Sequence, residues 1–430
     1  MTDSLIAILQ ETIAGTVTRL SGGRLRFDYD DDYRKMPGAT PLSVSMPLQV
    51  RSHPDNVISP WLWGLLPDNE AVLARWARQF HASASSAFSM LSTPIGHDVA
   101  GAVRFAAPEE LDEVMARPGT ITWLTEDDVA QRLRELREDT TSWLGRTFTG
   151  QFSLAGAQAK TALLLKDGRW GQPYGPIATS HILKPAVAGF DDHDLNEHLC
   201  LDAARRAGLL VARTRVAQFG NESAIVVDRY DRQVVGDMVI RIHQEDLCQA
   251  LSVMPSKKYQ NEGGPGPKEI VNLIRQTMAP RSIEKSIWQF VDALAWNWII
   301  GGTDAHAKNY SLLLAGDEVR LAPLYDIASA LPYGMHEKKL RLAMKIGGDY
   351  RVYLYHDAWP TLAADLDLDI DLVIDRVGDL AARAPHAFAD ATATLEVEKL
   401  DRPLSRRLVD LVADRSARCL GILGATTTSN

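Results

Sequence analysis

Polar and apolar positions alternate with period two in Arg24-Leu-Arg-Phe-Asp-Tyr29, the pattern of a strand with one buried face. Gly96-His97-Asp98 introduces a second strand-like run, Val99 to Phe105. Between these, Glu70 to Phe80 and Glu126 to Arg137 carry helical spacing. From about residue 146 the runs become more continuously apolar. Thr161 to Lys166, His181 to Lys184 and Ser223 to Asp228 read as buried strands, with a helix over Leu195 to Ala207. Strand, strand, helix, strand suits a nucleotide-binding lobe. Beyond about residue 265 the pattern turns helical. Ile287, Phe290, Val291, Leu294 and Trp298 share one helix face, which stops at Gly301-Gly302. Gln260 to Pro267 is too rich in Gly and Pro for helix or strand and reads as a flexible segment. No internal repeat occurs. The chain is expected to divide into a mixed α/β part over 1–145, a nucleotide-binding lobe over 146–255 and a helical part over 256–430.

Composition changes this picture mainly by exclusion. The 430 residues can bury more than one core, and 46% hydrophobic with 23% charged content is ordinary for a globular chain. A net charge of −9 argues against a free-standing nucleic-acid binder. Cys200, Cys248 and Cys419 are too few and too scattered for a disulfide framework or a zinc site. The start, Met1-Thr2-Asp3-Ser4 before Leu5 to Leu9, lacks a signal-peptide pattern, and no run is long enough to span a membrane. A cytoplasmic protein without membrane attachment is expected.

Candidate chemistry concentrates in Gly301-Gly-Thr-Asp-Ala-His-Ala-Lys-Asn309. Asp304 and Asn309 stand at the spacing at which protein kinases place the catalytic base and a metal-binding Asn. A polar turn after a helix would look the same. Further on, Arg320-Leu-Ala-Pro-Leu-Tyr-Asp326 ends an apolar run with a carboxylate, where a kinase holds its second Mg²⁺ ligand. Asp326 can alternatively cap a helix over Ile327 to Leu331. The two pieces in this order favour the kinase reading. Upstream, Lys184 closes an apolar strand and suits a charge on the phosphates, with Glu197 as its candidate partner. A snorkelling lysine and a first-turn glutamate are the plain alternatives. Small residues in Ser153-Leu-Ala-Gly-Ala-Gln-Ala-Lys160 would let backbone N–H groups approach phosphates. Ala159 stands where a Walker loop requires Gly, so this is no P-loop.

These blocks, with Val226-Val-Asp-Arg-Tyr-Asp-Arg232, His243-Gln-Glu-Asp-Leu-Cys-Gln-Ala250 and Gly64-Leu-Leu-Pro-Asp68, resemble the HipA family of serine/threonine toxin kinases. The resemblance spans nearly the whole chain. It implies an α/β (α+β) bilobal protein-kinase-like fold, a mixed N-terminal domain and an all-helical C-terminal lobe, with ATP in the cleft. It implies Asp304 as base, Asn309 and Asp326 as Mg²⁺ ligands, and Lys184 on the phosphates. His306, Ala307, Lys308, Asn309, Tyr325 and Asp326 would line the nucleotide. Asp228, Arg229 and Tyr230 would form the hinge beside adenine, largely through backbone groups. Ala155, Gly156, Ala157, Gln158, Ala159 and Lys160 would be the phosphate loop, and Ser153 the autophosphorylation position. Two departures stand out: Ala159 replaces a residue charged in some relatives, and Asp228 a position often held by Glu.

The Asp304-x-His306-x-x-Asn309 form also resembles phosphoinositide-type lipid kinases; the remaining blocks decide for HipA. The resemblance further implies a helix-turn-helix antitoxin as partner, operator DNA reached mainly through it, and an aminoacyl-tRNA synthetase as substrate. Lys399, Arg402, Arg406, Arg407, Arg415 and Arg418 form a basic run that could touch DNA, or a solvated helix face balanced by Asp401, Asp410 and Asp414. A small-molecule or lipid phosphotransferase and a non-catalytic co-repressor are the competing functions.

Overall fold

The structure, a computed structural model, describes residues 3–116, 118–145, 151–187, 189–236, 238–334 and 337–427, with side chains to 424. The expected boundary at 145/146 abuts residues 146–150, which lie outside the described residues. Contacts divide the chain into two compact units. The first comprises Met1–Pro185, Gln218–Ser256 and Ser311–Ala322; the second comprises Ala186–Ala217, Lys257–Tyr310 and Pro323–Asn430.

In the first unit, β1 (Ser4–Leu9), β2 (Thr12–Arg19), β3 (Leu25–Tyr29), β4 (Ser52–His53) and β5 (Val103–Ala106) form a sheet ordered β4-β3-β2-β1-β5. Leu25, Phe27 and Tyr29 are buried on one face of β3, as the period-two pattern requires. A second sheet contains β6 (Thr120–Leu124), β7 (Thr161–Lys166), β8 (Arg169–Tyr174), β9 (His181–Pro185) and β11 (Glu222–Asp228) in the order β11-β9-β7-β8-β6. The chain re-enters this unit through β10 (Thr214–Phe219). After the hairpin β12 (Arg232–Val235) and β13 (Met238–Arg241), β14 (His243–Asp246) pairs with β15 (Ser311–Ala315), which pairs with β16 (Glu318–Leu321).

A buried charge network ties the segment after β11 into this unit. Asp98, Arg229, Asp231, Arg232 and Arg241 are each at most 8% exposed. Arg232 Nη2 and Arg241 Nη2 donate to Asp98 Oδ1 at 2.9 and 3.2 Å, and Thr179 donates to Oδ2 through N–H and hydroxyl at 3.0 and 2.7 Å. Arg229 and Arg232 both donate to Asp231 Oδ2 at 2.8 Å. They also donate to the Val99 carbonyl. Those bonds explain why the apolar run from Val99 becomes strand only at Val103: its first carbonyl is already taken.

Glu245, on β14, is wholly buried and accepts from Val44 N–H at 2.8 Å. Burial pushes its carboxyl up to about 8. A raised folded-state value means that its stability contribution is full below the unfolded value near ~4.3 and is lost as pH rises through about 8. Glu245→Gln cannot ionise. Denaturant titrations across this range should show wild type losing stability relative to the variant as pH rises; parallel curves would refute the assignment.

The second unit is mainly helical, with the helices His193–Arg206, Pro267–Thr277, Pro280–Ile300, Ile370–Thr392 and Pro403–Thr427. It is not entirely so. Arg341–Ile346 (β17) and Asp349–Arg351 (β18) form a hairpin in which Ile346 faces Asp349 across Gly347-Gly348, both at positive φ (56° and 85°). Paired glycines are a hairpin signal, and it overrides the expected all-helical character locally. The helix over Ile327 to Leu331, on which the capping alternative for Asp326 rested, is absent. Only a short 3-10 turn at Leu331–Tyr333 follows, and Asp326 sits at φ 57°. Gln260 to Pro267 is closely packed: a Cβ on Gly264 would lie 2.2 Å from the Lys257 carbonyl, and Pro267 opens a helix. Among the described residues no helix is long and apolar enough to cross a membrane. Three of the six residues of the C-terminal basic run make internal contacts: Arg402 pairs with Asp194 at 2.9 Å, and Arg415 and Arg418 with Glu337 at 2.5 and 2.8 Å.

Candidate active site

In the second unit the helix Pro280–Ile300 ends at Gly301, whose φ of 65° turns the chain away. Gly302 N–H closes the turn on the Asn297 carbonyl at 2.7 Å, and a Cβ on Gly302 would lie 2.4 Å from Asn297 Oδ1. The chain then runs through Asp304, 68% exposed at its side chain, into the buried turn Ala307–Asn309. Asn309 Nδ2 donates to the Asp304 backbone carbonyl at 2.7 Å. With its amide nitrogen so used, the Asn309 side chain keeps its oxygen as an acceptor, the kind of ligand a hard cation takes.

Asp326 belongs to the same neighbourhood. Tyr325 Oη donates to the Lys308 carbonyl at 2.7 Å, tying the residue before Asp326 to the residue before Asn309. Ser329 Oγ donates to the Ile300 carbonyl at 2.5 Å, docking the segment on the end of the long helix. His306 is 4% exposed, and its Nε2 lies 4.0 Å from Asp304 Oδ1. Among the described residues no group of three or more His, Cys, Asp or Glu could hold a metal. Mg²⁺ needs no such cluster, because it keeps waters and takes one or two protein oxygens beside phosphate.

In the first unit, the loop Ala155–Lys160 leads into β7. Lys160 Nζ donates to the Ala155 carbonyl at 2.6 Å and lies 4.8 Å above the Trp143 ring, so the loop closes around its own lysine. Gly156 is needed there: its φ is 101°, and a Cβ would lie 2.7 Å from Lys160 Nζ. Among the described residues Gln158 Nε2 is buried and finds no hydrogen-bond partner, a donor that a phosphate oxygen would satisfy. Thr161, directly after the loop, pairs with Leu183, so the loop's end adjoins Lys184 in the sheet. Lys184 is 6% exposed. Asp228 faces His181 across β9 and β11, with Nε2 3.2 Å from Oδ1. Arg229 gives its side chain to the buried network and its N–H to the Ser180 carbonyl at 3.0 Å. Glu197, 1% exposed, belongs to the helix His193–Arg206 of the second unit.

Comparison with known proteins decides the lineage. The HipA-like C-terminal domain matches residues 152–388 and the HipA N-terminal domain residues 5–106. The chain belongs to the HipA family. The Sinorhizobium fredii protein Y4mE is 34% identical over 94% of this chain and 95% of its own. The Shewanella oneidensis serine/threonine-protein kinase toxin HipA is 29% identical over 94% of each chain. The solved Shewanella oneidensis complex of HipA, HipB and operator DNA has the same fold, with TM-score 0.83 and 24% identity over 98% of this chain and 99% of that one.

Two residues of this HipA-family chain gave no signal in the sequence. Asn196, beside Glu197, donates to the Ser329 carbonyl at 2.8 Å and accepts the Ser329 N–H at 3.1 Å, fixing the segment that carries Asp326. Tyr259 donates its hydroxyl to Asp304 Oδ1. Each acts on a residue distant in the chain, which local pattern cannot report.

Proposed function

We propose that the chain is an Mg²⁺- and ATP-dependent serine/threonine protein kinase of the toxin type. The observation that carries the reading is the loop Asp304–Asn309, where Asn309 Nδ2 is held by the Asp304 backbone carbonyl and the Asp304 carboxylate stands exposed. In this reading Asp304 accepts the proton of an attacking seryl or threonyl hydroxyl as that oxygen bonds to the γ-phosphorus and the bond from the γ-phosphorus to the bridging oxygen breaks, releasing ADP. Asn309 and Asp326 hold Mg²⁺, which when bound neutralises phosphate charge. Lys184 and the loop Ala155–Lys160 bind the phosphates; the orphaned Gln158 donor supports that role. Asp228 to Tyr230 border the adenine, and His306 to Asn309 with Tyr325 line the nucleotide. By analogy with the Shewanella oneidensis complex, a DNA-binding helix-turn-helix antitoxin restrains the kinase and brings it to operator DNA. An aminoacyl-tRNA synthetase is the proposed substrate.

The test is incubation of the full chain with Mg²⁺ and γ-labelled ATP, alone and with host lysate. Label on serine or threonine of this or a lysate protein is expected, and the labelled lysate protein identifies the target. Label found only on small molecules or lipids would overturn the protein-kinase reading. Nucleotide binding without transfer would leave a co-repressor.

Ser153 is proposed as the autophosphorylation position. Its hydroxyl is fully buried and donates to the Leu65 carbonyl at 2.7 Å, while its N–H donates to the Asp98 carbonyl at 2.9 Å. A phosphate of about −1.5 to −2 charge does not fit there, so modification would eject the loop. Ser153→Asp should lose most kinase activity and Ser153→Ala keep it. Full activity in Ser153→Asp would sink this idea.

A further inference from the structure

Asp304 is the most exposed element of its loop, and an exposed carboxylate samples several rotamers. A general base needs one. Its Oδ1 accepts the hydroxyl proton of Tyr259, 45 residues earlier in the chain and directly before the segment Gln260 to Pro267 that reads as flexible in the sequence. That segment is built to hold its shape. Lys258 C=O accepts Ala307 N–H at 3.2 Å, joining it to the catalytic loop itself, and Gly264 N–H donates to the Tyr259 carbonyl at 2.9 Å. Gln260 Oε1 accepts Lys345 N–H at 2.7 Å. The Tyr259 ring meets His306 edge-on, with centroids 4.8 Å apart. A Cβ on Gly264 would lie 2.2 Å from the Lys257 carbonyl, so backbone packs closely on backbone in this turn.

We propose that Tyr259 is a positioning residue: its hydroxyl fixes the Asp304 carboxylate in the rotamer that takes the acceptor's proton. The proposal rests on Asp304 as the base. A carboxylate offers two oxygens and about four lone-pair sites, so accepting from the phenol does not use up its capacity to receive a substrate proton. An arm anchored through backbone bonds on both sides of the tyrosine is not readily displaced. That distinguishes it from a stopper, which a substrate would have to push aside. The ring packs and the hydroxyl aims, so Tyr259→Phe removes only the second role.

The experiment measures label transfer to protein from γ-labelled ATP and Mg²⁺ at varied ATP, with host lysate as acceptor. It compares wild type, Tyr259→Phe, Asp304→Ala and the double variant. Tyr259→Phe is expected to lower the maximal rate by roughly 10- to 100-fold, the scale of a misplaced catalytic group. The half-saturating ATP concentration and the unfolding temperature should stay as in wild type. In the Asp304→Ala background the same change should have no effect, because there is no carboxylate left to aim. A Tyr259→Phe variant as fast as wild type or faster would overturn the proposal. So would a rate loss that persists in the Asp304→Ala background, or label recovered on Tyr259 itself. An active wild type indifferent to Tyr259→Phe removes this role alone; an inactive wild type removes the kinase reading and this role with it.

Discussion

Exchanging Asp304 for alanine is expected to reduce phosphoryl transfer to protein by about 10²- to 10⁴-fold, the range general-base catalysis contributes. The substitution is clean for a structural reason. Asn309 bonds the backbone carbonyl of residue 304, not its carboxylate, so the proposed metal ligand keeps its orientation in the variant. The side chain is also 68% exposed, so its removal opens no cavity in the core. Nucleotide affinity and unfolding temperature should therefore stay close to wild type while the rate collapses. Measuring label transfer beside nucleotide binding by fluorescence or calorimetry checks this. Retained transfer would mean that another group accepts the proton, and with it the roles proposed for both Asp304 and Tyr259 would fall.

A second large effect is expected on stability. Asp98→Ala leaves the guanidinium groups of Arg229, Arg232 and Arg241 facing the single carboxylate of Asp231 in a fully buried site. Removing one partner from a buried ion network costs on the order of 3–5 kcal/mol, because the remaining charges stay desolvated and uncompensated. Burial alone would raise the Asp98 carboxyl. The three guanidinium groups, led by Arg232, outweigh it and hold the carboxyl well below the usual carboxylate range. A depressed value means that the stability it contributes is complete above the unfolded value near ~3.9 and is lost only as pH falls below it. The variant should thus be destabilised across neutral pH, and the gap to wild type should narrow in acid. Denaturant titration at pH 7 and near pH 3 tests both statements. The network also adjoins the proposed site, since the Asp98 carbonyl holds Ser153 N–H and Arg229 and Asp231 bond each other in the segment after Asp228.

The local elements were legible in the sequence wherever local chemistry decides them. The helix Glu70–Phe80 has the expected bounds because Asn69 caps it, accepting from Ala71 and Val72 N–H at 3.0 and 3.3 Å. The strands Thr161–Lys166 and His181–Pro185 follow from short apolar runs bounded by polar residues. The helix ending at Gly301 and the loop from Asp304 to Asn309 follow from glycines and from a spacing fixed by the backbone. Family membership follows from the same short blocks, because they are contiguous in the chain.

What the tertiary structure decided lies where partners are remote. The pairing of His243–Asp246 with Ser311–Ala315 joins stretches more than sixty residues apart, and apolar alternation states that a face is buried without saying against what. Asp98, Arg229, Asp231, Arg232 and Arg241 look in sequence like surface charges; only their mutual neutralisation allows them inside. The glycines of Gln260 to Pro267 read as freedom because composition reports a lack of side chains. In the fold the same lack permits close backbone approach beside Tyr259, whose hydroxyl meets Asp304. The sequence by itself determined which groups are available for chemistry, since residue type and short spacing are covalent facts. The tertiary structure decided which of them are held in place, since orientation comes from contacts that chain distance does not encode.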